Sequence, residues 1–166
     1  MKKENITLIG MPGAGKSTVG VVLAKMAGYC FLDSDLVIQE ETGKLLHQLI
    51  EEYGREGFLE IEGRVNAGLE VRRTVIATGG SVVYAENAME HLGEISQIVY
   101  LKLPYEELEW RLGNLNQRGV VLRQGETLKE LYEERTSLYE KYADITVDTS
   151  NLGIQEAAKE ILKRIQ

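Results

Sequence analysis

Residues Gly10-Met11-Pro12-Gly13-Ala14-Gly15-Lys16-Ser17 bring together a backbone able to turn sharply, a cation and a hydroxyl. The spacing G-x-x-x-x-G-K-[ST], entered from an apolar run and leading into a helical one, suits a loop that cradles a nucleoside triphosphate. Glycines at 10, 13 and 15 let successive N–H groups aim inward at phosphate oxygens. The N-terminus of the following helix adds partial positive charge behind them. Lys16 supplies a point charge for the outer phosphates, and the Ser17 hydroxyl suits the magnesium ion that accompanies the nucleotide. ATP and Mg2+ are therefore the expected cofactors, with Gly13, Ala14, Gly15, Lys16, Ser17 and Thr18 as nucleotide contacts. No N-K-x-D tetrad for reading guanine occurs in the chain.

A second cluster, Asp33-Ser34-Asp35, follows the short apolar run Cys30-Phe31-Leu32. It falls at a strand's C-terminal end, where ligands of open α/β sheets bind. In extended geometry both carboxylates would project to one side, toward the phosphate loop, and Ser34 to the other. Two like charges held together call for a cation or a hydroxyl donor to separate their roles. Asp33 is expected in the metal shell beside Ser17, and Asp35 at the acceptor hydroxyl. Phosphoryl transfer depends chiefly on positioning and charge stabilisation, so cations near the moving group matter as well. Lys16 is one; Arg118, in a glycine-flanked stretch from 113 to 125 that reads as a lid, is the other.

The elements needed to hold these residues alternate. Asn5 to Gly10 reads as a strand buried on both faces, followed by a helix that Gly28 ends. Leu36 to Glu41 is helical, and so are Leu45 to Tyr53 and Glu56 to Val71, the last with Phe58, Ile61, Val65 and Leu69 on one stripe. Thr74 to Ala77 is a strand breaking at Thr78-Gly79-Gly80-Ser81; Ala85 to Leu92 is a helix stopped by Gly93; Gln97 to Leu103 is a strand. Pro104 opens a helix to about Leu112, Thr127 caps another to Tyr142, Asp144 to Asp148 is the fifth strand, and Ile154 to Ile165 closes the chain. Such alternation predicts a parallel sheet between helical layers.

At 166 residues the chain is expected to be one domain with one core. A single cysteine, Cys30, excludes a disulfide framework and is expected to be a small buried apolar group. His47 and His91 are expected on helix surfaces. Without an apolar leader or spanning run, the protein is expected to be soluble and cytoplasmic, with no membrane partner. The net charge of −7 disfavours nucleic acid as a partner. A small-molecule substrate and a monomer are the working expectations.

With these residues assembled, the chain resembles the shikimate kinase family over essentially its whole length. That family binds ATP through G-x-x-G-x-G-K-S/T and carries Asp-x-Asp after the second strand, a glycine turn at shikimate, a lid arginine, and an arginine before x-x-Leu-Tyr in a late helix. Here these are Gly10 to Thr18, Asp33-Ser34-Asp35, Gly79-Gly80-Ser81, Arg118-Gly119-Val120-Val121 and Arg135-Thr136-Ser137-Leu138-Tyr139. The resemblance implies a P-loop NTPase fold, a three-layer α/β/α sandwich with a five-stranded parallel sheet. It also implies substrate-binding helices at about 34–72, a lid at about 113–126 and a place in aromatic amino acid biosynthesis. It puts Arg111 against adenine, Arg118 at the ATP phosphates and Arg135 at the substrate; Lys16, Asp35 and Arg118 would be catalytic.

Three departures fall on the acceptor side. The family's G-E-x-x-F-R-x-x-E becomes Gly54-Arg55-Glu56-Gly57-Phe58-Leu59-Glu60-Ile61-Glu62, so Leu59 replaces the carboxylate-binding arginine and Arg55 brings a positive charge one turn upstream. Arg55 is either a relocated clamp or a solvated surface residue. Its side chain is expected to lean away from the vacated spot. Ser81 replaces the third glycine, offering a hydroxyl but resisting positive φ, and Gly119 replaces a proline, which should loosen the lid. The expected substrate contacts are Asp35, Arg55, Leu59, Gly79, Gly80, Ser81 and Arg135. The expected reaction is ATP-dependent phosphorylation of a small hydroxylated metabolite, with shikimate as the leading acceptor. The alternatives are another hydroxy acid, hydroxy amino acid or polyol, or a nucleotide-binding module that transfers nothing.

Overall fold

The computed structural model describes residues 3–113 and 125–165. Arg118, Gly119 and most of the expected lid lie outside the described residues.

Five strands, β1 (Asn5–Ile9), β2 (Cys30–Asp33), β3 (Thr74–Ala77), β4 (Ser96–Lys102) and β5 (Ile145–Asp148), form one sheet in the order β2-β3-β1-β4-β5. Every neighbouring pair is parallel. Between them run α1 (Lys16–Ala27), α2 (Ser34–Thr42), α3 (Leu46–Ala67), α4 (Glu86–Ile95), α5 (Tyr105–Gly113), α6 (Leu128–Tyr142) and α7 (Ile154–Arg164), with a 3-10 turn at Val82–Tyr84.

Strand side chains alternate between two cores, as a pleated backbone requires. Ile6, Leu8, Val99 and Leu101 pack with Val19 and Leu23 of α1 and with Ala158 and Ile161 of α7. Ile9, Ile98 and Tyr100 face the opposite way, toward Met89, Leu108, Leu131 and Tyr139 of α4, α5 and α6. Ile38 of α2 and Leu49, Phe58 and Val65 of α3 make a smaller core that carries the helices beside the phosphate loop. Buried Asn5 brackets the sheet's entry edge, donating to the Val71 and Ile95 carbonyls and accepting from the Thr74 N–H.

The expected strand and helix order holds, and the differences have local causes. The run from 33 to 35 is not extended throughout: Asp33 is, but Ser34 and Asp35 are helical. Asp33 ends β2 as the N-cap of α2, its side chain accepting from the Asp35 N–H at 2.9 Å, so Asp35 lies in a helical first turn. The expected pair of helices around residue 54 is one element kinked at Gly54, whose φ of 70° and ψ of −178° interrupt the helix. α3 stops at Ala67 rather than Val71, because Gly68 takes the cap. α4 runs through Gly93 to Ile95: its buried residues Ala88, Met89 and Leu92 anchor it against the core, and packing outweighs one glycine. Cys30 is exposed, since β2 is an edge strand. His91 is half-buried, its Nε2 bonded to the Leu69 carbonyl at 2.7 Å. No helix among the described residues is long and apolar enough to cross a membrane.

Candidate functional site

β1 delivers the phosphate loop at the sheet's C-terminal edge. Gly13 and Gly15 adopt φ of 84° and 90°, which L side chains rarely take up, and Gly15 is the N-cap of α1. Lys16 is buried and bends back over the loop, donating from Nζ to the Gly10 and Met11 carbonyls at 2.6 and 2.9 Å. Burial pushes its pKa down to about 8; Arg135 adds to this, while Asp35, Asp33 and Glu62 oppose it.

β2 and α2 set the two aspartates differently. Asp33 Oδ2 accepts from the Ser17 hydroxyl at 3.0 Å, so its carboxylate lies at the phosphate loop while its other oxygen caps α2. Asp35 is deeper. Burial and the neighbouring Asp33 push its carboxyl up to about 6, with Lys16 opposing. Among the described residues no group of three or more His, Cys, Asp or Glu could hold a metal ion. Ser17 and Asp33 do fit the sparse protein shell magnesium usually takes, in which nucleotide oxygens and water complete the octahedron.

A cavity of about 300 Å3 opens between these groups, lined on one side by Gly13, Gly15, Lys16, Ser17 and Thr18 and on the other by Asp35, Glu62, Gly79, Gly80, Ser81 and Arg135. Arg135 is 1% exposed, and its guanidinium lies over the Tyr84 ring with Cζ 5.5 Å from the centroid. Tyr139, one turn along α6, donates its hydroxyl to the Gly80 carbonyl at 2.5 Å and so ties the glycine turn to the helix that carries Arg135. The turn must be bare. A Cβ on Gly80 would stand 2.7 Å from Pro12 Cδ and 3.0 Å from Arg135 Nη1, and one on Gly79 would meet Glu62 Oε2 at 2.6 Å and Asp35 Oδ1 at 2.9 Å. Ser81 is not strained: its φ is −94°, so a side chain is accommodated.

The structure thus gathers Lys16, Ser17, Thr18, Asp35, Gly79, Gly80, Ser81 and Arg135 around one cavity. Arg111 stands behind the phosphate loop, donating from Nη1 to the Gly13 carbonyl at 3.0 Å and pairing with Glu107 at 2.7 Å. Arg55 and Leu59 line an adjacent depression with Glu56, Arg64 and Tyr84 instead. Leu59 packs on the α2–α3 core. Arg55 is not simply solvated: its side chain is 17% exposed and its Cζ lies 5.1 Å from the centroid of the Tyr84 ring that Arg135 also covers. The kink at Gly54 makes Arg55 the first residue of a fresh helical segment.

Sequence reasoning quoted Glu62 only as the end of the family pattern and gave it no role; it is 1% exposed and accepts from the Ser81 hydroxyl at 2.5 Å. Burial, reinforced by Asp35, pushes its carboxyl up to about 7, while Ser81, Arg135 and Lys16 pull the other way. The available signal was an acid on the apolar stripe of Phe58 and Val65, one turn from each.

A triphosphate loop facing a buried carboxylate and a buried guanidinium across a cavity of metabolite size defines a P-loop phosphotransferase acting on a small molecule. A family model described as Shikimate kinase matches residues 12–166. The chain is 36% identical to the shikimate kinase of Nitrosococcus oceani, covering 100% of this chain and 89% of the relative. It is 37% identical to that of Chlorobium chlorochromatii, covering 100% and 94%. Among solved structures it is similar to shikimate kinase from Acinetobacter baumannii in complex with shikimate, with a TM-score of 0.88 and 33% identity over 96% of this chain and 91% of the other. The chain belongs to the shikimate kinase family.

Proposed function

We propose that this protein transfers the γ-phosphoryl group of ATP to a hydroxyl of shikimate, giving 3-phosphoshikimate. The observation that carries the reading is the convergence of Lys16, Asp35, Glu62 and Arg135 on one cavity beside the phosphate loop. The N–H groups of Gly13 to Thr18 cradle the phosphates, and Lys16 exchanges the Gly10 and Met11 carbonyls for phosphate oxygens. Ser17 and Asp33 would hold magnesium, which when bound would screen the charge of the triphosphate. Arg111 steadies the loop from behind on the adenine side, and Arg118 contributes charge from the lid.

On the acceptor side, Arg135 binds the carboxylate of shikimate, and Gly79, Gly80 and Ser81 admit its ring close to backbone. Asp35 accepts the proton of the attacking hydroxyl. Its raised pKa places that acceptor nearer neutral pH than an ordinary aspartate, which suits a base. Arg55, on the same Tyr84 ring as Arg135, adds positive charge beside the carboxylate end, and Leu59 lies outside the cavity in the adjacent depression. The reaction takes place in the cytoplasm, in a monomer.

One observation favours a second acceptor: Arg135 is the only arginine among the described residues lining the cavity, whereas two charges would hold a carboxylate more firmly. Another small hydroxy acid with a weaker anionic demand is that second reading. ADP release measured with shikimate and a panel of hydroxy acids, hydroxy amino acids and polyols decides between them. The reading requires the highest kcat/KM for shikimate. It also requires Asp35→Asn to lose turnover by about 100-fold or more while ATP affinity is nearly kept, in the range of general-base contributions. Loss of ATP binding in that variant, or no stimulation by any acceptor, overturns it.

A further inference from the structure

Ser81 stands at the start of the 3-10 turn, but the turn does not use its hydroxyl. The turn is held by backbone bonds from the Tyr84 N–H to the Ser81 carbonyl at 3.1 Å and from the Ala85 N–H to the Val82 carbonyl at 3.0 Å, and no side chain caps it. The hydroxyl instead donates to Glu62 Oε1 at 2.5 Å, inside the protein. From the other end, the Asn66 side chain donates to the Glu62 carbonyl at 2.9 Å and steadies the backbone of that helical turn.

With Oε1 taken up, the direction of Oε2 matters. The missing Cβ of Gly79 marks a point 2.6 Å from Glu62 Oε2 and 2.9 Å from Asp35 Oδ1. Two carboxylate oxygens, one from α2 and one from α3, therefore converge on the same bare glycine at the cavity wall. Lys16 from the phosphate loop and Arg135 from α6 face them from the remaining sides.

We infer that the Ser81 hydroxyl is a positioning group for Glu62, turning Oε2 beside Asp35 so that the acceptor meets two carboxylate oxygens and is selected for carrying at least two hydroxyls. The inference rests on the reading that a hydroxylated acid is phosphorylated in this cavity. Glu62 receives a hydroxyl that does not react, while Asp35 keeps the one that does. A monohydroxy acid leaves Glu62 buried without a donor from the ligand, and such a loss discriminates strongly.

The positioning is tested without ligand by carboxyl 13C NMR titration of the free protein, the Glu62 resonance being assigned by its absence in Glu62→Gln. Ser81→Ala, which fits the same φ, removes one group that holds the carboxylate ionised, so the Glu62 midpoint must rise above its wild-type value; Ser81→Thr keeps the hydroxyl and must restore it. In steady-state assays Ser81→Ala raises KM for shikimate about tenfold, leaves KM for ATP unchanged and lowers kcat less, the size expected for a bond to a charged group. An unmoved midpoint, or equal rises in both KM values, overturns the inference. If the wild type fails to phosphorylate shikimate, the proposed reaction falls, while the titration still decides whether Ser81 sets Glu62.

Discussion

Ser17 and Asp33 meet at the phosphate loop, the hydroxyl of one donating to Oδ2 of the other at 3.0 Å. Since Asp33 Oδ1 also caps α2, a single carboxylate joins the nucleotide side to the helix that carries Asp35. Its two duties separate by substitution. Asparagine caps a helix about as well as aspartate but lacks the charge, whereas alanine loses both, at about 1 kcal/mol for the cap. Asp33→Asn should therefore raise the magnesium concentration for half-maximal ADP release by about tenfold or more with little change in melting temperature. Asp33→Ala should show the same shift together with lower stability. An unchanged magnesium requirement in Asp33→Asn would leave Asp33 as a cap alone.

The substitution Leu59→Arg tests the acceptor end. A charge-assisted bond to a carboxylate is worth about 1.5 to 3 kcal/mol, or roughly ten- to hundredfold in affinity. The structure limits that gain, since Arg55 and Arg135 already share the Tyr84 ring and a third guanidinium would add repulsion. Leu59→Arg alone should thus improve KM for shikimate less than Leu59→Arg combined with Arg55→Glu, and the two changes should be more than additive. The single change should also lower thermal stability, because Leu59 packs against the core of Ile38, Leu49, Phe58 and Val65. Equal KM values for the single and double variants would mean that Arg55 does not act at the carboxylate end.

The nucleotide half was legible because its signal is local. Gly13, Gly15, Lys16 and Ser17 are consecutive or nearly so, and their roles follow from backbone freedom, charge and a hydroxyl at fixed spacing. The alternation of strands and helices was legible for the same reason, each element carrying its own period and stop. Asp33 and Asp35 were recognised, but Asp35 was given the wrong backbone. Nothing in Asp-Ser-Asp tells whether a strand continues or a helix is being capped, and the side-chain bond to the Asp35 N–H decides it. Ser81 was read only as a substrate contact and Glu62 was given no role, because the bond that joins them spans 19 residues along the chain. The contact of Arg55 with Tyr84 was not legible, because it joins residues 29 apart along the chain.

The buried carboxyl of Glu62 should leave a mark on stability as well as on catalysis. Its pKa is near 7 in the folded protein against an ordinary value of 4.5, so the folded state holds this proton when the unfolded chain has already lost it. Folding stability contributed by this group therefore falls as pH rises from about 4.5 to about 7, and the loss is complete above the folded value. A rise from 4.5 to about 7 corresponds to about 3 kcal/mol. Asp35, raised from 3.8 to about 6, acts in the same direction over a slightly lower window. Glu62→Gln removes the first contribution and leaves the second, while its amide oxygen can still accept from Ser81. Denaturant unfolding at pH 5 and pH 8 should thus show the variant gaining about 3 kcal/mol on the wild type between the two. For a chain of 166 residues that gain should appear as several degrees in melting temperature. Parallel pH profiles for the two proteins would mean that Glu62 ionises as freely in the folded state as in the unfolded chain.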